Sequence, residues 1–385
     1  MKLLVPLESA PGEKRVAVTP ETVRRLQGHR IEIQVESGAG EAAGFPDALY
    51  SAVGASVVSP ECLEWESTDG VLCVQPPRRH HLLRLREGSL LVGLLSPHGA
   101  RELTTLLNDR SLSAIALELL PRISRAQSMD VLSSQANIAG YKAVLLAAAE
   151  LDRYVPMLMT AAGTIQPARV LILGAGVAGL QALATARRLG GVVYVSDVRA
   201  AAKEQVESLG GRFLDPPSQQ DLPTERGGYA TQASEAFLAA QRDQLAEQLA
   251  LADMVICTAQ VPGRPAPRLI TETMLDRLRP GAVVVDLAVA QGGNCAGTVP
   301  GETVIRSGVR LIGAESLPSS VPNHASALYA RNVAALIEHL VTEEGLRLDL
   351  QDPIVEACLY THAGVCRRED VAQAGASLLA TGSAS

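Results

Sequence analysis

The chain has 385 residues, of which 47% are hydrophobic and 19% are charged, as in an ordinary globular protein. This length exceeds the roughly 250–300 residues at which one hydrophobic core stops growing, which favours two domains. The net charge of −7 and the lack of Lys/Arg blocks argue against a nucleic-acid partner. The apolar runs are too short for a signal peptide or a membrane span, so direct membrane insertion is not expected.

The six cysteines and seven histidines are scattered along the chain. No C-x-x-C pair occurs, and only His80 and His81 cluster, in a stretch typical of a solvated surface. We therefore expect reduced thiols that fill the core, and no metal site. Aromatic residues make up only 3% of the chain, so Ala, Val, Leu and Ile must build the core.

Short apolar runs alternate with helical patterns from the N-terminus onwards. A helix is predicted to begin after Thr19 as its cap, with Pro20 at the first position. This alternation predicts a parallel sheet with helices on both faces. The strands predicted in this first series are residues 2–6, 31–35, 70–74, 90–95 and 114–117.

An Ala-rich helical stretch, residues 134–151, is predicted to lead into a second α/β series, and a helix over 323–340 is predicted to return. The second series has predicted strands at 170–173, 192–196, 254–258, 283–286 and 310–312. The expected fold is α/β, with two Rossmann-like domains of mostly parallel, doubly wound sheets joined by long helices. The first domain is expected to be discontinuous, 1–135 plus 326–385, and the second to cover 136–325.

The second domain carries a G-x-G-x-x-G motif, formed by Gly174, Gly176 and Gly179. A strand precedes it, a helix follows, and the next strand ends at Asp197, near the ~20-residue spacing of dinucleotide sites. The pyrophosphate would rest on the helix N-terminus, and Asp197 would accept the ribose hydroxyls. This favours NAD over NADP, although Arg199 weakens that inference. The alternative is a Gly-rich turn without a nucleotide.

Several longer segments resemble one family in their order along the chain. The segments are EKRVAVTPE at 13–21, PRISRAQSMDVLSSQANIAGYKAV at 121–144, GGYA at 227–230, VPGRPAP at 261–267, VVVDLAVAQGGNC at 283–295 and ASALYARNV at 325–333. Together they resemble the alanine dehydrogenase/transhydrogenase alpha-subunit family over essentially the whole chain. The RAQSMDVLSSQ and D-L-A-V-x-x-G-G-N-C stretches resemble its transhydrogenase branch.

That resemblance implies an NAD(H)-binding catalytic subunit that exchanges hydride directly with NADP(H) held on a partner subunit. Membrane subunits would couple this transfer to proton translocation. The resemblance further implies a homodimer that is cytoplasmic and peripheral on the inner face of a membrane. Because this chain ends without membrane helices, separate membrane-spanning and NADP(H)-binding subunits are expected.

The alternative is an NAD-dependent alanine dehydrogenase, whose chemistry needs a general acid/base near the substrate. Where alanine dehydrogenases carry Lys and His, this chain has Gln75 and Ser96, which cannot transfer protons near neutral pH. Arg15 resembles their carboxylate-binding arginine, and His98 could replace the missing histidine after a local shift. A third possibility is a catalytically silent NAD-sensing module.

By resemblance, four residues surround the nicotinamide: Arg122, Gln127, Asp130 and Ser133. The alternative is a purely structural role, in which Asp130 and Ser133 cap the following helix and Arg122 forms a surface ion pair. A Gly-hinged loop is expected to close over the nucleotide. The full set expected to bind the nucleotide is Arg122, Ile123, Ser124, Gln127, Gly174, Gly176, Val177, Ala178, Gly179, Asp197, Val198, Arg199, Gly228, Tyr229, Gln241 and Gln260.

Overall fold

The computed structural model describes residues 1–215, 225–226, 229–230, 235–261 and 264–372, with only the backbone described at 225–226, 229–230 and 235–238. The chain divides into two compact units. Met1–Gln135 and Pro318–Ser385 form unit 1, and Ala136–Leu317 form unit 2. The predicted fold class is confirmed, because each unit is built on a large, mostly parallel sheet flanked by helices.

The N-terminal segment alternates strands and helices, as its apolar pattern predicts. Helix α1 begins with Pro20 after Thr19, whose backbone N–H donates to the Thr22 hydroxyl at 2.9 Å. The elements are Lys2–Val5 (β1), Pro20–Gln27 (α1), Glu32–Glu36 (β2), Asp47–Ser51 (α2), Ser56–Val58 (β3), Gly70–Leu72 (β4), Arg79–Leu82 (α3), Leu90–Gly93 (β5), Arg101–Asp109 (α4), Ser113–Ala116 (β6) and Val131–Glu150 (α5).

Unit 2 repeats the alternation and adds a two-stranded hairpin before its main sheet. Its elements are Leu158–Thr160 (β7), Gly163–Ile165 (β8), Arg169–Leu173 (β9), Val177–Arg188 (α6), Val192–Ser196 (β10), Ala202–Ser208 (α7), Arg212–Leu214 (β11), Glu225–Arg226 (β12), Tyr229–Ala230 (β13), Glu235–Leu249 (α8), Met254–Cys257 (β14), Glu272–Leu275 (α9), Val283–Asp286 (β15), Thr303–Arg306 (β16) and Val309–Gly313 (β17).

The chain rejoins unit 1 at Pro318, just before a 19-residue helix that begins with a proline. The remaining elements are Pro322–Leu340 (α10), Val341–Thr342 (β18), Gly345–Leu346 (β19), Pro353–Cys358 (α11), Leu359–His362 (β20) and Val365–Cys366 (β21). Strands β3, β18, β19, β20 and β21 of unit 1 and β7, β8, β11, β12, β13 and β16 of unit 2 were not predicted from sequence. They are short, and most lie at sheet edges or in hairpins, where the apolar signal is weak.

The described strands of unit 1 form a sheet in the order β21-β20-β6-β5-β4-β1-β2-β3. The six strands from β6 to β3 are parallel, and β20 and β21 add antiparallel pairs at one edge. Both faces are buried: Leu3 and Leu72 enter one core cluster, whereas Leu4 and Val71 enter another. The strand order reverses between β1 and β4, so their carboxyl ends border a crevice.

The main sheet of unit 2 has the order β11-β10-β9-β14-β15-β17-β16 among its described strands. Only β16 is antiparallel to its neighbour. Val170 and Ile172 face one core cluster, and Leu171 and Leu173 face the other. The strand order reverses between β9 and β14, and this position places the glycine motif after β9 beside the residues that follow β14.

All six cysteines are free thiols, and four of them are buried. In the part of the chain that the structure describes, no three His, Cys, Asp or Glu side chains come together as a metal cluster. No described helix combines the length and apolar character needed to cross a bilayer.

Candidate nucleotide-binding site

The turn between β9 and α6 contains Gly174 and Gly176. Gly174 adopts a φ of +104°, and a Cβ there would lie 2.7 Å from Oγ1 of Thr258. The Thr258 hydroxyl lies 3.1 Å from the Leu173 carbonyl oxygen and 3.0 Å from that of Gly174, and it donates to both. Glycine is required because the backbone is left-handed and because the end of β14 approaches closely.

Two glycines allow close packing behind this turn. A Cβ on Gly179 of α6 would overlap the carbonyl oxygen of Gly174. A Cβ on Gly140 of α5 would overlap the carbonyl oxygen of Ala178. The first turn of α6 therefore packs between the glycine turn and α5, and close backbone contacts on both sides fix its position.

Gly176 differs from these glycines because open space surrounds it. Among the described residues, no atom beyond Gly176 and its two chain neighbours lies within 4 Å of a Cβ built there, and Gly176 and Val177 are exposed while Ala178 is half-buried. No acidic residue occupies the first turn of α6. The N-terminus of this 12-residue helix is therefore an open, positively polarised surface suited to an anion such as a pyrophosphate.

Asp197 follows β10 and is 8% exposed. Its Oδ2 accepts the backbone N–H of Ala175 at 2.6 Å, which ties the carboxylate to the glycine turn. Its Oδ1 accepts the backbone N–H of Arg199 at 2.8 Å. The Arg199 guanidinium donates from Nε to Oδ1 at 2.9 Å and from Nη2 to Oδ2 at 3.0 Å, so Asp197, Val198 and Arg199 form one closed turn.

Gln241 on α8 lies beside the end of β10. It is 3% exposed, and its Nε2 donates to Oγ of Ser196 at 3.3 Å. Its Oε1 is buried and has no hydrogen-bond partner among the described residues. A buried amide oxygen without a partner is costly, so this acceptor is suited to a ligand hydroxyl or a bound water.

Gln260 lies three residues beyond β14 and is exposed, with its Nε2 donating to the Leu287 carbonyl at 2.9 Å. The neighbouring backbone is held by Asn294, which is fully buried. Asn294 accepts the Ala259 N–H at 3.0 Å and donates to the Ala259 carbonyl at 2.8 Å. Sequence reasoning did not single out Thr258 or Asn294, and the only signal for Asn294 was its place in the VVVDLAVAQGGNC segment.

The predicted mobile loop is described only in small part. Gly228 lies outside the described residues. Tyr229 is described through its backbone, where β13 pairs antiparallel with β12. The prediction that Gly228 and Tyr229 close over a nucleotide stays a prediction.

The segment 122–133 belongs to unit 1, whereas the glycine turn belongs to unit 2. A 3-10 helix covers Ser124–Met129, and it is anchored by the buried side chains of Ala126 and Met129. The side chains of the predicted contact residues Arg122, Ile123, Ser124 and Gln127 are exposed. The segment therefore presents polar groups to the surface from a well-anchored backbone.

Asp130 caps α5. Its Oδ1 accepts the Ser133 backbone N–H at 2.9 Å, and its Oδ2 accepts the Ser133 hydroxyl at 2.6 Å. The capping interpretation of these two residues is thus what the structure shows directly. A capping carboxylate held by two donors retains further acceptor capacity, so a ligand contact is compatible with the cap.

Sequence reasoning missed a buried acidic cluster at the crevice of unit 1. The Arg15 guanidinium donates to both carboxylate oxygens of Glu13, at 2.8 and 2.6 Å, and to Oε1 of Gln135 at 3.0 Å. The Ser319 hydroxyl also donates to Glu13, at 2.6 Å. Burial raises the pKa of Glu8 to about 7, although its carboxylate accepts the backbone N–H groups of Val74 and Gln75.

The positions that distinguish a dehydrogenase lie at the same sheet edge. Gln75 follows β4, and Ser96, which follows β5, adopts a φ of +49° and donates its backbone N–H to Glu118 at 2.6 Å. His98 lies 3.1 Å from Asp370 through Nε2 and Oδ2. The structure therefore places the His98 ring within hydrogen-bonding distance of Asp370 in the C-terminal segment.

The N-terminal domain model of alanine dehydrogenase/PNT matches residues 4–139, and the C-terminal domain model matches residues 143–369. The chain is 44% identical over 372 residues to an NAD(P) transhydrogenase alpha-subunit chain of Rhodospirillum rubrum, covering 94% of this chain and 97% of the relative.

Two solved structures resemble the whole chain. A transhydrogenase from Sinorhizobium meliloti matches with a TM-score of 0.85 and 43% identity, covering 95% of this chain and 100% of that one. An L-alanine dehydrogenase matches with a TM-score of 0.81 and 27% identity, covering 98% of this chain and 100% of that one. The likeness extends over both units, and identity is higher to the transhydrogenases than to the dehydrogenase.

Proposed function

The chain belongs to the alanine dehydrogenase/PNT family, and we propose that it is the NAD(H)-binding component of a proton-translocating NAD(P) transhydrogenase. Hydride passes directly between NAD(H) on this chain and NADP(H) on a partner subunit. Membrane-spanning subunits couple that transfer to proton translocation and hold the chain at the cytoplasmic face of a membrane. The observation that carries the proposal is the fixed glycine turn with the open N-terminus of α6 beside Asp197.

The residues present fit a dinucleotide. Gly176 leaves room against the α6 amide groups for a pyrophosphate, and Gln241 offers a buried acceptor without a partner among the described residues. Asp197 lies one hydrogen bond from the glycine turn, where it can accept ribose hydroxyls and repel a 2′-phosphate. When bound, the nicotinamide supplies the hydride chemistry, and the protein supplies orientation and exclusion of water.

The residues proposed to orient the nicotinamide belong to unit 1. They are Arg122, Gln127, Asp130 and Ser133, and the carboxamide that they would hold offers two donors and one acceptor. Their support is the family membership and the anchored, exposed segment that carries them. None of the four has to move a proton, since hydride exchange between two nicotinamides needs only alignment at near-attack distance.

An amino-acid dehydrogenase is less well supported. Oxidation at an α-carbon needs a proton carrier, and Gln75 and Ser96 cannot act as one. His98 is paired with Asp370, and all three nitrogens of the Arg15 guanidinium are engaged by Glu13 and Gln135. The 27% identity to an L-alanine dehydrogenase of known structure is also lower than that to the transhydrogenases.

The test mixes the purified chain with the NADP(H)-binding subunit of a transhydrogenase. NADH that carries deuterium at C4 is supplied with NADP⁺, and mass spectrometry follows the label. We expect NADPH that has gained the deuterium, with no exchange into solvent. The chain alone serves as the control. Reduction of NAD⁺ by alanine without any partner, and no label transfer with it, would establish the dehydrogenase instead.

We further propose a homodimer, with an exposed apolar surface around β7 and β8 as a contact. Tyr154, Met157, Met159 and Ile165 are all exposed there, and Met159 is 73% exposed. Such a patch on one small hairpin is typical of an interaction site. Light scattering at micromolar concentration is expected to give twice the chain mass of 40.4 kDa.

The matched variants for this prediction are Met159→Lys in the hairpin and Ile305→Lys on edge strand β16. Both residues are highly exposed, at 73% and 69%. Met159→Lys should shift the mass towards that of a single chain, and Ile305→Lys should not. A single-chain mass for the unchanged protein would contradict the dimer.

A further inference from the structure

The carboxylate of Asp197 is already saturated by the protein's own donors. It accepts the Ala175 and Arg199 backbone N–H groups and two N–H groups of the Arg199 guanidinium, all at 2.6–3.0 Å. An ionised carboxylate has about four acceptor positions, so none is left over. The Asp197 side chain is 7% exposed and the Arg199 side chain is 18% exposed, so the pair is largely shielded from water.

A ribose diol can reach Asp197 only by displacing one set of donors. The two backbone N–H groups are fixed by the glycine turn and by the chain itself. The guanidinium is the donor set that can leave, through rotation of a flexible side chain. Ribose binding therefore exchanges a bidentate ion pair for two hydroxyl hydrogen bonds to the same carboxylate, and the attraction between the opposite charges of Arg199 and Asp197 is lost.

We propose that Arg199 is a specificity-determining residue that weakens NAD(H) binding and narrows the discrimination against NADP(H). The inference rests on the proposed NAD(H) site. In the free protein the guanidinium occupies the positions on Asp197 that the ribose diol takes. Once displaced, it remains beside the 2′ position, where a phosphate gains a cationic partner and a plain hydroxyl gains little.

The proposal alters the role of Asp197 as well. An aspartate alone would repel a 2′-phosphate with a full negative charge. The adjacent guanidinium compensates that charge, so the preference for NAD(H) is set by the pair. Removing the arginine should sharpen the preference, and removing the aspartate should relax it.

The test measures dissociation constants for NADH and NADPH by isothermal titration calorimetry, using the full chain. For Arg199→Ala we expect NADH binding about tenfold tighter, which corresponds to ~1.4 kcal/mol, and NADPH binding weaker. The ratio of the NADPH dissociation constant to the NADH dissociation constant should rise at least tenfold. Arg199→Lys retains the charge but not the parallel pair of donors. Its ratio should therefore lie between that of the unchanged chain and that of Arg199→Ala. Asp197→Asn should move the ratio the other way.

Arg347→Ala is the matched control, because Arg347 pairs with Asp349 at the same two-residue separation, at 2.8 Å, in unit 1. It should leave both constants unchanged. NADH should also raise the melting temperature of Arg199→Ala more than that of the unchanged chain, since the free variant buries an under-satisfied carboxylate.

Weaker NADH binding by Arg199→Ala, or an unchanged ratio, overturns the inference and leaves the nucleotide site intact. The Arg199→Lys variant decides the question in the same way if the alanine variant does not fold. Failure of the unchanged chain to bind NADH is a different result, because it removes the proposed function and the inference together.

Discussion

Gly179→Ala is expected to lower NADH affinity at least a hundredfold and to destabilise unit 2 by about 3 kcal/mol, the upper range for overpacking. The added methyl group would overlap the carbonyl oxygen of Gly174. That carbonyl cannot shift easily. It accepts the Thr258 hydroxyl at 3.0 Å, and the backbone N–H of Gly174 donates to the Ser196 carbonyl at 2.8 Å. The start of α6 must therefore move, and the amide groups that would hold the pyrophosphate move with it.

Two further alanine substitutions separate binding from stability. Gly176→Ala places a methyl group in open space, so the unfolding midpoint in urea should be unchanged, yet NADH affinity should fall because the methyl group occupies the approach to the helix amides. Gly99→Ala meets only the Ser96 carbonyl oxygen, at 3.9 Å, and should change neither quantity. Calorimetry and urea unfolding on the three variants measure both effects. Tight NADH binding by Gly179→Ala would mean that the glycine turn does not hold the nucleotide.

The interior parallel strands of both sheets were predicted from sequence because most of them appear as buried runs rich in apolar residues, whereas the parallel edge strands β3 and β11 were missed. Val192–Ser196 and Val283–Asp286 coincide with their predictions, and β9, β14 and β17 begin within one residue of them. The edge strand β16 was missed. Its side chains alternate between exposed and half-buried, so Thr303–Arg306 lacks the run that marks an interior strand.

Local chemistry at the site was only partly visible in the sequence. The G-x-G-x-x-G pattern specified the turn because glycine is the residue type that such a backbone requires. Asp197 was identified by its spacing, but its contacts with Arg199 depend on a turn that brings the two side chains together, and spacing does not determine that turn.

The acidic cluster of unit 1 could not have been derived at all. Glu13 and Ser319 are separated by 306 positions and meet only because α10 returns to the first sheet. Long-range pairs of this kind follow from topology, and no local pattern records them. The raised pKa of Glu8 has the same origin, since burial in the folded crevice is its largest cause.

Gln127 provides the sharpest test of the nicotinamide contacts proposed for unit 1. The residue is exposed, and its backbone is held by the buried side chains of Ala126 and Met129 on either side. Gln127→Asn should therefore leave the fold unchanged. NADH affinity should change less than about twofold, whereas the single-turnover rate of hydride transfer to the partner's NADP⁺ should fall tens-fold or more, since misplacement by ~1 Å can cost ~100-fold.

The reason is that an amide bridging two nucleotides aligns them mainly in the transition state, so its loss appears in the transfer rate and not in binding. Gln351→Asn, also at an exposed position of unit 1, is the matched control and should transfer at the normal rate. Asp130→Ala should differ from both by reducing NADH binding and transfer together. It also removes the cap on α5, at a cost of about 1 kcal/mol in stability.

These three variants distinguish the two interpretations of the segment 122–133. If its polar residues only cap α5 or lie on its surface, Asp130→Ala lowers stability. Gln127→Asn then leaves the hydride-transfer rate, measured by stopped flow, unchanged. If the segment orients a nicotinamide, Gln127→Asn slows transfer at unchanged stability, which a capping role cannot produce because Gln127 makes no side-chain contact in the cap of α5. A normal transfer rate for Gln127→Asn would therefore remove the residue from between the nucleotides and leave capping by Asp130 as the function of the segment.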